Sequence, residues 1–431
     1  MRPLPRISTI TGPTRSRECR PTAMTETMTQ PVTESANERV AISGDLEFVE
    51  KLLGAGAAEL KYCYQCSTCT VVCPITPDDS PFPRKEMIHA QFGLKEKLVS
   101  SLDAWLCIHC NDCSTHCPRS AKPADVMNVI RSMSIVHFAR PAFLATAAQT
   151  PSRIWMLFLI PMIIIAAVIL ALPGGSAFGF LGGTIVFSKM MPVPAIDVVF
   201  LPAIAFAIVT AVLSIMGFLR SLAAEYPRTE SGESLPAAIM GTLLDVLSHR
   251  KFLECTSNKS RAGAHAMVMY GFIGLVITTT LVGILYYMNQ FGMDAQVSPY
   301  DFFHPVKVLG NVSGTLVFLG CSVMLARRMS SGKSGKATAF DWTFLWVLFM
   351  TVITGFGSQV LRVFDLAIPA YGIYYVHLVL VFFLLAYMPY TKMGHILFRV
   401  VAMIYARWSG RAAVRPVIRD GQVKYNVRAE S

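Results

Sequence analysis

Two runs of four cysteines constrain this chain more than any other feature. The first reads Cys63-Tyr-Gln-Cys66-Ser-Thr-Cys69-Thr-Val-Val-Cys73-Pro74, the second Cys107-Ile-His-Cys110-Asn-Asp-Cys113-Ser-Thr-His-Cys117-Pro118. Both have the spacing C-x2-C-x2-C-x3-C-P. Three thiolates two residues apart wrap one face of an iron–sulfur cubane, the fourth reaches across to a neighbouring cluster, and the proline turns the chain away. The spacing therefore predicts two 4Fe–4S clusters, one on Cys63, Cys66, Cys69 and Cys117, the other on Cys107, Cys110, Cys113 and Cys73. Zinc sites use four ligands, usually in C-x2-C pairs, not two complete runs of four. The remaining cysteines, Cys19, Cys255 and Cys321, are isolated. That clustering excludes a secreted disulfide scaffold and points to metal ligation in a reducing compartment.

Beyond the cysteines the chain becomes too apolar for a soluble protein. Mean hydropathy is +0.48 over 431 residues, and only 15% of residues are charged. Six stretches approach the ~20 helical residues that cross a bilayer: about 154–172, 196–219, 266–288, 305–326, 342–362 and 372–398. The net charge of +11 could suggest nucleic acid, but the Lys and Arg flank these stretches. Arg131, Arg140 and Arg153 precede the first. Arg220, Arg250, Lys251, Lys259 and Arg261 lie between the second and third, Arg327, Arg328, Lys333 and Lys336 between the fourth and fifth, and Lys392, Arg399, Arg407 and Arg411 near the end of the chain. Counted by the positive-inside rule, both termini and the cysteine region are cytoplasmic. The expected location is a bacterial inner membrane, with no nucleic-acid partner.

Residues 1–40, rich in Thr, Pro, Ser and Arg, read as a disordered tail, with Met24 a rival start. Residues 45–140 read as a helical dicluster domain, 153–400 as the membrane domain and 401–431 as a basic cytoplasmic tail. Residues 45–60 show helical spacing at Leu46, Phe48, Val49, Leu52 and Leu53, residues 86–105 look helical, and Pro123 sits where a first helical turn would start. The fold class expected is all-α.

Histidines at span ends suggest a second cofactor. His377 and His395 are eighteen residues apart in the last stretch, five helical turns, which on one unbroken helix puts one imidazole near each membrane face, on one side. His265 matches His395 in depth, and His304 matches His377. Such pairs between helices suit bis-histidine haem b, and ionisable residues inside spans default to functional sites. His249 is a rival inner ligand, though its Ser-His-Arg-Lys setting reads as a solvated loop. Lys307 and Arg362 at span ends either snorkel or meet haem propionates or a quinone.

Residues 45–135 resemble the C subunit of heterodisulfide reductase, on the paired runs with Cys63-Tyr-Gln-Cys66-Ser-Thr-Cys69-Thr. Residues 265–398 are similar to the membrane cytochrome b of that family, related to nitrate reductase gamma subunits, on the His377-to-His395 spacing and His265-Ala-Met-Val-Met-Tyr-Gly-Phe272-Ile-Gly. The fusion of both in one chain resembles the membrane-embedded C subunit of quinone-interacting membrane-bound oxidoreductases. That resemblance implies two haems b, a quinone substrate, soluble flavin and iron–sulfur subunits A and B, and adenylylsulfate reductase as the ultimate partner. The cysteine-rich repeats that carry heterodisulfide chemistry in a separate subunit of the family are missing, so disulfide reduction by this chain alone is not expected.

The expected function is a membrane electron relay between cytoplasmic subunits and the quinone pool, itself non-catalytic or quinone-reactive, in dissimilatory sulfur metabolism. One alternative is the membrane module of a heterodisulfide reductase-like or sulfite reductase-linked complex. Another, of a different class, is a haem-free anchor or redox sensor with structural clusters.

Overall fold

The computed structural model describes residues 43–77, 81–172, 181, 183–249, 259–330, 338–411, 416–419 and 422–425. The tail expected over residues 1–40, with Cys19, and Cys255 lie outside them.

The first part is a knot of short helices. Asp45 caps α1 (Leu46–Leu52), its Oδ1 accepting from the Phe48 N–H at 2.8 Å. The chain then tightens through π and 3-10 turns to Tyr62. There follow α2 (Thr68–Val71), α3 (Arg84–Gln91), α4 (Lys95–Val99), α5 (Leu102–Leu106), α6 (Asp112–Thr115), α7 (Pro123–Phe138) and α8 (Ala142–Gln149). The stretch expected to be helical over 86–105 is three helices. Gly93 breaks it with a left-handed φ of 66°, in a place where a Cβ would come 2.7 Å from the Asp45 carbonyl oxygen. Ser101 restarts it as the cap of α5, accepting from the Ala104 N–H at 3.2 Å.

Next come α9 (Ile154–Ala171), the short α10 (Phe187–Met190), α11 (Val193–Glu225), α12 (Leu235–Leu247), α13 (Lys259–Gln290), α14 (Pro305–Ser330), α15 (Ala339–Val363), α16 (Ala367–Ala386) and α17 (His395–Ser409). Six of these, α9, α11, α13, α14, α15 and α16, are long and apolar enough to cross a membrane, and the chain is a multi-pass membrane protein. Large apolar side chains such as Ile163, Val198, Val276 and Val360 face outward, as lipid contact requires. Helices α13 and α14 approach closely through glycine. A Cβ on Gly271 would meet the Ser313 carbonyl oxygen at 2.7 Å, and one on Gly320 the Ala264 carbonyl oxygen at 2.8 Å.

The last stretch corrects the expectation of one span over 372–398. Helix α16 stops at Ala386, and two 3-10 turns, Met388–Tyr390 and Lys392–Gly394, separate it from α17. Pro389 has no N–H to continue the helix, and Thr391 between the turns is fully extended, at φ −100° and ψ 179°. His377 and His395 therefore stand on different helices, and the five-turn phase argument does not apply. The basic tail expected from residue 401 is also revised. Helix α17 runs on to Ser409, closed by Gly410 at φ 84°. Beyond it an antiparallel hairpin, β1 (Pro416–Arg419) with β2 (Gln422–Tyr425), is the one departure from an all-α fold among the described residues.

The dicluster part and the membrane part share a core. Trp105 of α5 stacks on Phe398 of α17 at 5.2 Å between ring centroids, and Phe218 of α11 meets both Phe398, at 5.2 Å, and Phe138 of α7, at 5.4 Å. A polar staple lies nearby. Lys392 Nζ sits 2.8 Å from Asp341 and donates to Asn128 Oδ1 at 2.8 Å, while the Asn128 amide donates to Asp341 at 3.1 Å. Asp341 also completes the capping box of α15 with Thr338.

Candidate cofactor sites

The two cysteine runs fold alike. Gln65 and His109, each just before the second cysteine of its run, have φ of 59° and 56°. Ser67 and Asn111, just after it, have φ of 68° and 76°. Non-glycine residues rarely enter this region. Its recurrence at equivalent positions wraps each loop around a cavity, after which Ser67 and Asn111 open α2 and α6. One cavity is lined by Cys63, Cys66, Cys69 and Cys117, the other by Cys73, Cys107, Cys110 and Cys113. The fourth cysteine of each run thus lines the cavity of the other.

All eight thiols are free of disulfide bonds. Backbone N–H groups point at the sulfurs, from His109 to Cys107 Sγ at 3.4 Å and from Ala121 to Cys117 Sγ at 3.3 Å. Burial, reinforced by neighbouring thiols, pushes Cys69 up to about 11 and raises Cys113. Burial above all takes Cys73 to about 12. The exposed Cys66 is lowered, by the Thr68 hydroxyl. Four crowded sulfurs of this kind ionise together only around a metal cation, and the paired four-cysteine runs fit iron–sulfur clusters. Among the described residues no group of three or more His, Cys, Asp or Glu is gathered tightly enough for a single metal ion.

The histidines divide into a near group and a far group. His265 and His395 face one another with ring centroids 6.5 Å apart and planes at 73°. Two metal–imidazole bonds of about 2 Å each, plus half a ring on either side, span roughly that distance. The Nδ1 of His395 lies 2.5 Å from the Lys392 carbonyl oxygen, and the Nδ1 of His265 lies 3.0 Å from His249 Nε2. Coordination by either ring would fall to Nε2, oriented as such outer partners orient metal-binding imidazoles. His249, expected in a solvated loop, is instead buried and steadies His265.

His377 follows the same pattern on its own. Its Nδ1 lies 3.0 Å from the Thr351 carbonyl oxygen and 3.1 Å from Thr354 Oγ1, and its ring fits over Gly355, where a Cβ would come within 3.2 Å. It stands ten residues into α16, roughly 15 Å along the axis, while His304 precedes α14. Neither a ring contact nor a hydrogen bond joins the two. His304 stacks on Tyr300 at 4.4 Å. Its Nδ1 and the Tyr300 hydroxyl are buried without hydrogen-bond partners. Lys307 stands in the first turn of α14 and Arg362 in the last turn of α15.

In the sequence, Arg131, Arg261 and Arg399 count only as topology charges. All three reach the second cysteine loop. Arg131 Nε donates to the Ala104 carbonyl at 2.6 Å and its Nη2 to that of Cys107. Arg399 Nη1 donates to the Cys107 carbonyl at 2.8 Å, and Arg261 Nη1 to that of His109 at 2.5 Å. No sequence signal distinguishes such an arginine from one at the headgroups.

Comparison with known proteins divides the chain in the same place. Residues 62–121 match the family model described as 4Fe-4S dicluster domain, and residues 146–416, more than half of the chain, match the model described as citrate utilization protein B. The C subunit of the H(2):CoB-CoM heterodisulfide,ferredoxin reductase of Methanothermobacter marburgensis is 38% identical over 104 residues, 24% of this chain and 54% of that one. A protein of Archaeoglobus profundus, described as like the C subunit of heterodisulfide reductase, is 34% identical over 85 residues, 20% of this chain and 45% of that one. The E subunit of the dihydromethanophenazine:CoB–CoM heterodisulfide reductase of Methanosarcina acetivorans is 23% identical over 171 residues, 38% of this chain and 64% of that one. The chain spans about half the length of the curated C-subunit relatives it matches. No solved structure matches.

Proposed function

Since the chain belongs to the citrate utilization protein B family, and fuses an iron–sulfur domain like the C subunit of heterodisulfide reductase to a membrane domain like its E subunit, we propose that it relays electrons between cytoplasmic flavin and iron–sulfur subunits and the quinone pool of a bacterial inner membrane. The 4Fe-4S dicluster match, the six long apolar helices and the likeness to C and E subunits of heterodisulfide reductases together support membrane electron transfer. The finer reading rests above all on the His265–His395 pair, whose spacing and Nδ1 anchoring suit residues that would hold one haem between them.

When bound, two 4Fe–4S clusters and haem b supply one-electron steps leading to a quinone. Cys63, Cys66, Cys69 and Cys117 would hold the first cluster, and Cys73, Cys107, Cys110 and Cys113 the second. His265 and His395 would hold a haem at the end of the bundle nearest the clusters, with His249 as the orienting partner. His377 would take a second, deeper haem. His304 was expected to complete that pair. The unpartnered His304 Nδ1 and Tyr300 hydroxyl, with Lys307 and Arg362, better suit hydrogen bonding to a quinone headgroup or a haem propionate.

The soluble partner separates two readings. A quinone-interacting oxidoreductase would place subunits A and B and adenylylsulfate reductase beyond the clusters, within sulfur metabolism. The membrane family's description favours instead a partner concerned with citrate utilization.

A reduced-minus-oxidised spectrum with pyridine haemochrome quantitation on the purified chain tests the relay. Two haems b per chain are expected, with His395→Ala losing one while iron–sulfur absorbance persists. Absence of any haem band, with the clusters intact, would leave the anchor or sensor reading in its place.

A further inference from the structure

The arginines at the second cysteine loop are unusual in what they lack. Arg131, Arg261 and Arg399 come from three different helices, α7, α13 and α17, and meet at two adjoining stretches of backbone, the carbonyls of Ala104 and Cys107 and that of His109. Every partner found for them is a neutral carbonyl. Among the described residues none of the three forms an ion pair. The acid of this region, Asp341, is held by Lys392 at 2.8 Å and by Asn128 and Thr338. Withdrawing positive charge from water without counter-charge is costly, yet all three arginines are part-buried where they meet these carbonyls. The counter-charge at hand is the sulfur set of the adjoining cavity, Cys73, Cys107, Cys110 and Cys113.

The first cavity has no such shell. Its arginines, Arg84 and Arg119, are solvent-exposed, and Arg119 lies over the exposed Tyr64 ring at 4.2 Å. Water screens those charges, whereas the charges at the second cavity act through protein.

We propose that Arg131, Arg261 and Arg399 form a cationic shell that sets the second cluster at the higher reduction potential of the two. Reduction adds negative charge to the cluster, and nearby part-buried cations, less screened than exposed ones, favour the reduced state. Arg261 and Arg399 each stand four residues, one helical turn, from His265 and His395. The shell thus joins the second cluster to the histidine pair and makes that cluster the electron's last stop before the membrane. The proposal rests on the reading that the eight cysteines hold two clusters.

The test is an EPR-monitored potentiometric titration of the full-length chain in detergent with its clusters reconstituted. Wild type should show two resolved reduction steps. Arg399→Gln and Arg261→Gln should each lower only the higher step, by about 59 mV or more, a tenfold change in a one-electron equilibrium. Arg399→Lys, which keeps the charge, should restore it. A full complement of about eight iron atoms with coincident wild-type potentials overturns the shell alone. So does a shift confined to the lower step, or an Arg399→Lys shift as large as that of Arg399→Gln. Fewer iron atoms in wild type overturn the cluster reading and the shell with it. Should either glutamine variant lose its clusters, the wild-type separation of the two steps decides.

Discussion

Glu86 shows how much an individual side chain here departs from its solution chemistry. It is fully buried. Its Oε1 accepts from the Ser101 hydroxyl at 3.2 Å and lies 3.7 Å from Lys85 Nζ, while its Oε2 has no hydrogen-bond partner. Neighbouring Asp103 takes the firmer contacts from Lys85 at 2.5 Å and Arg411 at 2.7 Å. Burial, helped by Asp103, pushes Glu86 up to about 8 from 4.5. An acid raised on folding stabilises the protein fully below about pH 4.5, and that contribution is lost as pH rises through about 8. Glu86→Gln, neutral at every pH, should therefore melt several degrees above wild type near pH 9 and together with it near pH 4, as followed by thermal denaturation in detergent. At this scale the sequence was legible for the cysteines, because ligand spacing is local. It was not legible for Arg261, Arg399 or His249. Each reads as an interfacial charge until helices distant in sequence fold over it.

Elements were legible where the pattern is long. Six apolar runs became six long apolar helices, since the ~20-residue requirement is visible without tertiary information. The break between α16 and α17 was not. Apolar residues continue across it, and Pro389 alone does not reveal whether a helix kinks or stops. What fixes the chain there is the staple of Lys392 on Asp341 and Asn128, which ties the break to the start of α15 and to α7. Removing one member of a buried ion pair leaves the other uncompensated. Asp341→Asn should thus cost about 3 kcal/mol or more, lower the melting temperature, and loosen His395, whose Nδ1 is anchored on the Lys392 carbonyl. A broadened or shifted haem Soret band at wild-type cluster content would report that loosening.

Across the whole molecule, the two parts that the cysteines and the apolar runs announced separately turn out to share one core. Trp105, Phe138, Phe218 and Phe398 come from four helices and from both parts, and nothing in the local pattern of either part marks them as partners. Truncating a buried Phe costs about 3–5 kcal/mol. Phe218→Ala, a change in a membrane helix, should destabilise the cluster domain as well. Loss of cluster absorbance and loss of membrane-domain ellipticity should then shift to lower temperature together, as one transition. Two separate transitions would show that the parts unfold independently.

The same aromatic contact bears on how the protein is made. The ribosome releases the cysteine runs first, but Phe398, which stacks on Trp105 two residues before Cys107, is synthesised nearly three hundred residues later. The iron-binding region therefore lacks part of its interior until the last membrane helix has been inserted, and the part that is translated first is completed last.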